Sequence, residues 1–292
     1  METTVSEQSD FPLKGVIGVV ANSADEINLA RKTKLGCIEL RADLLLDAGV
    51  SESGLFDCVR QAKNLGLAVL FTLRHPTHGG TFQGSEMERV KISLKAVEAG
   101  ADLFDLEFDS EAAAILPDNA PPMILSYHDF NGMPSQQKLH DLTEAMQSTG
   151  ASAIKVVPTA STLEDALTML QWVGQDNGVS TRIGFAMGEE GACSRILTTA
   201  LGGAVTYASF GAPVAPGQIA IDELVSMYRV DALNDQCQVT AVCADGEVAT
   251  QKVVELNQSF DSNQIAVGFK AADKALVEKS AHWMRVDDVV FA

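Results

Sequence analysis

No apolar stretch in this chain of 292 residues approaches the roughly 18 residues that a membrane-spanning helix needs, so no transmembrane segment is expected. Met1–Asp10 is polar and acidic and lacks the basic-then-apolar order of a secretory signal; a cytoplasmic protein is expected. The five cysteines, at 37, 58, 193, 237 and 243, contain no C-x-x-C pair, which argues against a disulfide framework and a structural zinc site. Basic residues are scarce. Lys plus Arg number 21 against 39 Asp plus Glu, a net charge of −18, and a nucleic acid or an anionic membrane would want the opposite balance. A small anionic substrate is still allowed, because a few arginines can build a local positive pocket. There is no G-x-G-x-x-G after a strand-like run and no G-x-x-x-x-G-K-[ST], hence no sign of a phosphate loop. Low-complexity segments are also missing, and 46% hydrophobic against 21% charged residues excludes a disordered chain.

What the chain has is a regular alternation. Short β-branched runs, each followed by a longer segment of helical spacing, occur at Val16–Val20, Cys37–Arg41, Ala68–Arg74, Leu103–Phe108, Met123–His128, Ala153–Val157, Arg182–Met187 and Ala204–Ser209. Near the ends of the second to the eighth run stand Arg41, Arg74, Glu107, His128, Lys155, Met187 and Ser209, at steps of 33, 33, 21, 27, 32 and 22 residues, each the size of one βα unit. Parallel strands need such crossovers, and eight of them in about 215 residues make a (β/α)8 TIM barrel the expected fold, ahead of a doubly wound open sheet. The expected division is a flexible N-terminal tail over residues 1–13, a catalytic barrel over 14–230, and a small C-terminal α/β extension over 231–292. The extension reads as strand Gln238–Ala244, helix Glu247–Ser259, strand Gln264–Phe269, helix Asp273–Trp283 and strand Val289–Phe291, a truncated or degenerate second domain.

Barrel enzymes place their chemistry at the C-terminal ends of the strands, and the polar residues of this chain gather there. Successive runs end in Glu39-Leu40-Arg41, Thr72-Leu73-Arg74, Asp105-Leu106-Glu107 and Ser126-Tyr127-His128-Asp129. The two-residue period puts Glu39 with Arg41, Asp105 with Glu107, and Ser126 with His128 on one face. Lys155 is the most informative residue, because Ala153-Ile154 and Val156-Val157 flank it in a strand expected to be buried on both faces. Burial disfavours the ammonium and favours the amine, a nucleophile for a carbonyl; the plain alternatives are an ion pair with a barrel glutamate or a strand-end lysine reaching solvent. His128 is the natural proton carrier or, equally, a structural hydrogen-bonder. Glu39 with Arg41, and Arg74 with Glu107, read as catalytic groups or as lining salt bridges. Gly188–Arg195 opens a helix whose amides, with Ser194 and Arg195, suit a carboxylate, and Ala215-Pro216-Gly217-Gln218 is either a turn or a lid over the mouth.

Taken together, these motifs resemble type I 3-dehydroquinate dehydratase. They are Glu39-Leu40-Arg41, Phe71-Thr72-Leu73-Arg74 with Gly79-Gly80, Asp105-Leu106-Glu107, Ser126–Phe130, Lys155, Met187-Gly188 with Ser194-Arg195, and Ala215–Gln218, in family order over roughly residues 14–229. The resemblance implies that Lys155 forms a Schiff base with 3-dehydroquinate and that His128 moves the proton as water leaves. It also implies that Glu39, Arg41, Arg74, Arg195 and Gln218 bind substrate, with Glu107, Met187 and Ser194 in support. No metal or organic cofactor is implied, and the implied assembly is a homodimer.

Two positions depart from the family pattern. His78 stands where an acid supports the catalytic histidine, and Val214 stands where the lid carries a serine. Weakened but real activity is therefore expected. The C-terminal segment faintly resembles the opening of a shikimate dehydrogenase, without its serine-rich loop. A class I aldolase would also explain Lys155, though not Ser126–Phe130 with Ser194-Arg195. A catalytically dead barrel that binds an anionic metabolite as sensor or scaffold is the third reading.

Overall fold

A computed structural model of the chain describes residues 11–117, 119–175, 180–230, 233–234, 236–261 and 263–291. Of the tail expected over residues 1–13, residues 1–10 lie outside the described residues, as do residues 231–232 at the expected junction. The eight apolar runs form the strands β1 (Gly15–Val20), β2 (Cys37–Arg41), β3 (Ala68–Thr72), β4 (Leu103–Glu107), β5 (Met123–Asp129), β6 (Ala153–Pro158), β7 (Thr181–Gly184) and β8 (Val205–Ser209). A two-residue β9 (Ile219–Ala220) joins β8, and all nine run parallel in the order β7-β6-β5-β4-β3-β2-β1-β8-β9. The sheet curls until β7 and β8 meet, where the Ala204 amide donates to the Arg182 carbonyl at 3.0 Å. This is the (β/α)8 barrel that the spacing predicts.

The alternation of side chains sorts the apolar residues into two layers. One set, including Ile38, Leu40, Phe71, Leu106, Ile154 and Val156, faces the surrounding helices. The other, including Ile17, Cys37, Leu70, Leu103, Ile124, Ala153, Ile183 and Val205, fills the barrel floor. Leu13 belongs to that floor and is wholly buried, so the ordered barrel starts earlier than the tail boundary at residue 13 predicts.

The helices that connect the first strands are α1 (Asp25–Lys32), α2 (Ala42–Asp47), α3 (Glu52–Asn64) and α4 (Glu86–Glu98). After them come α5 (Ala112–Ile115), α6 (Gln136–Gln147), α7 (Leu163–Gly174) and the short α8 (Ala192–Leu197). Ser85 and Glu88 close a capping box at the start of α4, as Thr162 and Asp165 do at α7, satisfying amides that a helix start leaves open.

β7 leaves its ladder at Gly184, three residues before the expected end at Met187. The Ser194 hydroxyl takes the Ala186 amide at 2.8 Å, which turns the chain into the loop before α8.

The C-terminal segment builds a separate parallel sheet, ordered β11-β10-β12, from β10 (Gln238–Cys243), β11 (Gln264–Phe269) and β12 (Val286–Phe291). Helices α9 (Gly246–Ser259) and α10 (Lys274–Met284) make its crossovers. Its core residues Val239, Ala241, Ile265 and Val267 fall in one continuous apolar cluster with Ile196, Leu197 and Leu201 of the barrel. Arg229 fastens the junction by donating to the carbonyls of Phe260 and Gln264, each at 2.9 Å. Among the described residues no helix is long and apolar enough to cross a membrane.

Candidate active site

The inward face of the barrel changes from apolar to polar one layer above the floor. Register fixes who meets whom: Thr72 pairs with Asp105 across β3 and β4, and Ser126 with Lys155 across β5 and β6. At the C-terminal mouth lies a cavity of about 220 Å³. Glu39, Arg41, His128 and Lys155 line it from the strands, with Arg74 just past β3 and Met187 and Arg195 beyond β7. His78, Val214 and Gln218 line it from the loops. Ten of the twelve side chains singled out in the sequence thus share one cavity.

The other two, Glu107 and Ser194, lie behind it. Ser194 is wholly buried, and its hydroxyl donates to the Gly191 carbonyl at 2.6 Å while accepting from Ala186. Its role is to fold the loop, so the expectation that it faces a bound carboxylate is corrected. Glu107 is buried between two arginines, Arg74 at 3.0 Å and Arg89 of α4. Burial alone would raise the Glu107 carboxyl, but Arg74 and then Arg89 bring it below the ordinary range.

The lining salt bridge between Glu39 and Arg41, one of the two readings of that pair, is not formed among the described residues. The Arg41 guanidinium instead donates twice to Asp43, at 2.9 and 2.7 Å, because α2 begins immediately after β2 and brings that carboxylate under it. Glu39 accepts from the Thr72 hydroxyl at 2.8 Å.

Lys155 is ion-paired, with Asp105 rather than with a glutamate, at 3.3 Å, and its ammonium lies 4.3 Å from the centre of the Tyr207 ring. Asp105 is shared. Arg74 reaches it at 2.8 Å and the Ser126 hydroxyl donates to it at 2.6 Å. Burial would raise the Asp105 carboxyl, yet Arg74 above all, then Lys155 and His128, hold it far below the usual carboxylate range. Arg74, with Asp105, Glu107 and Ser126 around it, is held above its already high value despite burial. A fixed anion with a tighter arginine partner is a divided counter-ion for the lysine.

His128 is pushed well below its ordinary value, first by burial, then by the charges of Arg74 and Lys155, with Asp105 opposing. It is therefore a neutral imidazole at neutral pH. Its ring stacks on Phe130 and meets His78 edge-on, each at 6.4 Å between ring centres, and its Nδ1 has no hydrogen-bond partner among the described residues. His78 turns its Nε2 to Asp109 at 3.2 Å. Arg195 differs from the other cations at the mouth. No carboxylate pairs with it among the described residues; it stacks over Phe185 at 4.6 Å and donates once, to the Pro216 carbonyl at 3.1 Å. Burial alone lowers it to about 10. A buried cation without an anion is costly, and a substrate carboxylate at this point would supply one.

The lid segment folds over these groups. Gln218 accepts from the Val214 amide at 2.8 Å, and the Gly188 amide donates to Pro216. Sequence reasoning missed Asp105 and Tyr207 as neighbours of the lysine, and Arg89 and Asp43 as partners of the charged layer. A signal for Arg89 existed, since it falls in helical register with Ser93 and Ala96 on the buried face of α4.

Fold and site together define a (β/α)8 barrel enzyme whose mouth sets a buried lysine, a neutral histidine and an arginine without a carboxylate partner among the described residues around one cavity. The model for the type I 3-dehydroquinase family matches residues 17–235, and the chain belongs to that family, among the carbon–oxygen lyases. It is 35% identical over 188 residues to a 3-dehydroquinate dehydratase from Methanopyrus kandleri, covering 64% of this chain and 83% of that one. It is 31% identical over 255 residues to the chloroplastic bifunctional 3-dehydroquinate dehydratase/shikimate dehydrogenase of Arabidopsis thaliana. That match takes in 84% of this chain but only 41% of the relative, so the chain spans less than half of the two-activity protein. Among solved structures, 3-dehydroquinate dehydratase from Geobacillus kaustophilus shares the fold at a TM-score of 0.65 and 24% identity, over 73% of this chain and 89% of that one. The dehydroquinate dehydratase and shikimate dehydrogenase structure from S. pombe matches at 0.58 and 22% identity, over 96% of this chain and 57% of that one.

Proposed function

We propose that the barrel, residues 14–230, dehydrates 3-dehydroquinate to 3-dehydroshikimate, a step of the shikimate pathway, through an imine on Lys155. The observation that carries this reading is the convergence on one cavity of buried Lys155, neutral His128 and Arg195 without an acidic partner among the described residues. Arg195 takes the substrate carboxylate, and Gln218 closes over it from the lid. Glu39, Arg41 and Arg74 hold the hydroxyls and fix the orientation.

The Lys155 amine attacks the ketone, and loss of one water leaves a protonated imine. That imine is an electron sink. His128 takes a proton from the adjacent carbon, and the C–H electrons pass into the imine as an enamine. They then return to expel the neighbouring hydroxyl, which leaves as water with the proton His128 took. A second water hydrolyses the conjugated imine, releasing the product and restoring the amine. Metal and organic cofactor have no part in these steps. A homodimer in the cytoplasm belongs to the same reading, and sedimentation of the purified chain tests the dimer.

The test is growth of absorbance from the conjugated product when 3-dehydroquinate is added. Expected is turnover by the wild-type chain and none by Lys155→Ala; a wild-type chain that binds substrate without product would be the dead barrel. An aldolase is disfavoured by the family match and by the His128 and Arg195 constellation, which it leaves unexplained.

A further inference from the structure

The loop that delivers Arg195 is gripped from outside the barrel. It runs from Gly188 to Gly191 and enters α8, and one carbonyl ties its parts together. Pro216 accepts both from the Gly188 amide, at 3.3 Å, and from Arg195, at 3.1 Å, so loop, lid and guanidinium share an anchor.

On the outer side of the same loop, Glu190 is ion-paired with Lys270, which follows directly on the C-terminal end of β11. The hydrogen bond with Glu190 pushes Lys270 upward, and Glu189 and Asp273 add to it, so the ammonium stays charged across the neutral range. Packing supports the pair. α8 lies against β11, with Cys193 of the one and Phe269 of the other both buried. A cavity of about 340 Å³ between them is bounded by Leu163 and Ala192 on the barrel side and by Ala244 and Ala249 on the other. Further along, Arg285 donates to the Ala200 carbonyl at 3.4 Å.

We propose that the C-terminal sheet and its helices, residues 238–291, brace the carboxylate-binding arm of the active site, with Lys270 as a positioning residue that acts on Arg195 through Glu190. This rests on the reading of Arg195 as the carboxylate clamp. Lys270 touches no substrate. It fixes the loop from behind, so that the guanidinium does not have to be ordered each time the substrate binds.

A partly exposed pair of this kind has a modest effect, so Lys270→Ala and Glu190→Gln are each expected to raise KM for 3-dehydroquinate by about 2- to 5-fold, with kcat within about twofold of wild type. Lys270→Arg, which keeps the ion pair with Glu190, is expected to hold KM near the wild-type value. Hydrogen exchange, which needs no turnover, is expected to quicken at the amides of residues 188–197 in Lys270→Ala and to stay unchanged in α3. Unchanged KM and exchange in both Lys270→Ala and Glu190→Gln, or Lys270→Arg as impaired as Lys270→Ala, would overturn the brace. If the wild-type chain does not turn over 3-dehydroquinate, the activity reading falls while the exchange rates still decide the brace.

Discussion

His128 must be neutral to accept a proton, and burial with Arg74 and Lys155 nearby depresses its own proton affinity. The sign follows directly: lowering pH protonates the base only well below 6.5, so kcat/KM is expected to stay level down to that value and to fall further on the acid side. An acid limb at or above 6.5 would contradict the assignment. Replacing it, as His128→Gln, is expected to lower kcat by roughly 10²- to 10⁴-fold, the usual worth of a positioned proton carrier. His78 adds no fixed negative charge beside His128. His78→Glu would add one, raising the His128 value, and is expected to move the acid limb upward and to speed turnover; a variant no faster than wild type refutes this. At the clamp, Arg195→Gln forfeits a charge-assisted contact of about 1.5–3 kcal/mol, so KM is expected to rise roughly 10- to 150-fold. At this scale much of the site is legible in the sequence, because Lys155 lies inside an apolar strand and His128 near the end of one, where polar residues are conspicuous. Partner choice is not legible: Arg41 takes Asp43 and not Glu39, because the next helix decides the matter. Ser194 reads in the sequence as a carboxylate-binding group beside Arg195, yet its hydroxyl is turned inward to the Ala186 amide.

Between elements, the lid and the loop after β7 meet at Gly217 and Gly188. Gly217 has φ of +69°, and a Cβ there would run into the Gly188 carbonyl. The left-handed conformation alone costs a side chain roughly 1–2 kcal/mol. Gly217→Ala is therefore expected to raise KM and to lower the unfolding midpoint, and equality with wild type in both would show that the lid tolerates displacement. Strands were the most readable elements. The runs at β2 and β11 match their observed bounds, and most of the others differ by only one or two residues, because a parallel barrel buries both faces and leaves continuous apolar runs. The run expected for β7 extends three residues past the strand, and the cause is a single side chain, Ser194, whose contact is invisible in local periodicity. Leu13 precedes β1 in the short stretch Phe11-Pro12-Leu13-Lys14, too brief for a periodic signal, although it plugs the barrel floor.

Across the whole molecule, a net charge of −18 coexists with a mouth where Arg41, Arg74, Arg195 and Lys155 converge. The acids that balance Arg41, Arg74 and Lys155 are buried beside them, Arg195 has no carboxylate partner among the described residues, and total charge says nothing about such a pocket. The barrel and the C-terminal sheet share one apolar cluster, so heating is expected to unfold them in a single calorimetric transition; two separated transitions would mean that the shared core does not couple them. That coupling could not be read from the sequence, since Val239, Ala241, Ile265 and Val267 pattern as strands whatever they pack against. The most direct test of the central claim is borohydride reduction of the whole protein with 3-dehydroquinate present, read by intact mass and then by peptide mapping. Expected is one substrate-derived increment per chain, carried by the peptide containing Lys155 and missing from Lys155→Ala. Turnover with no trapped adduct, or an adduct on another lysine, would contradict it.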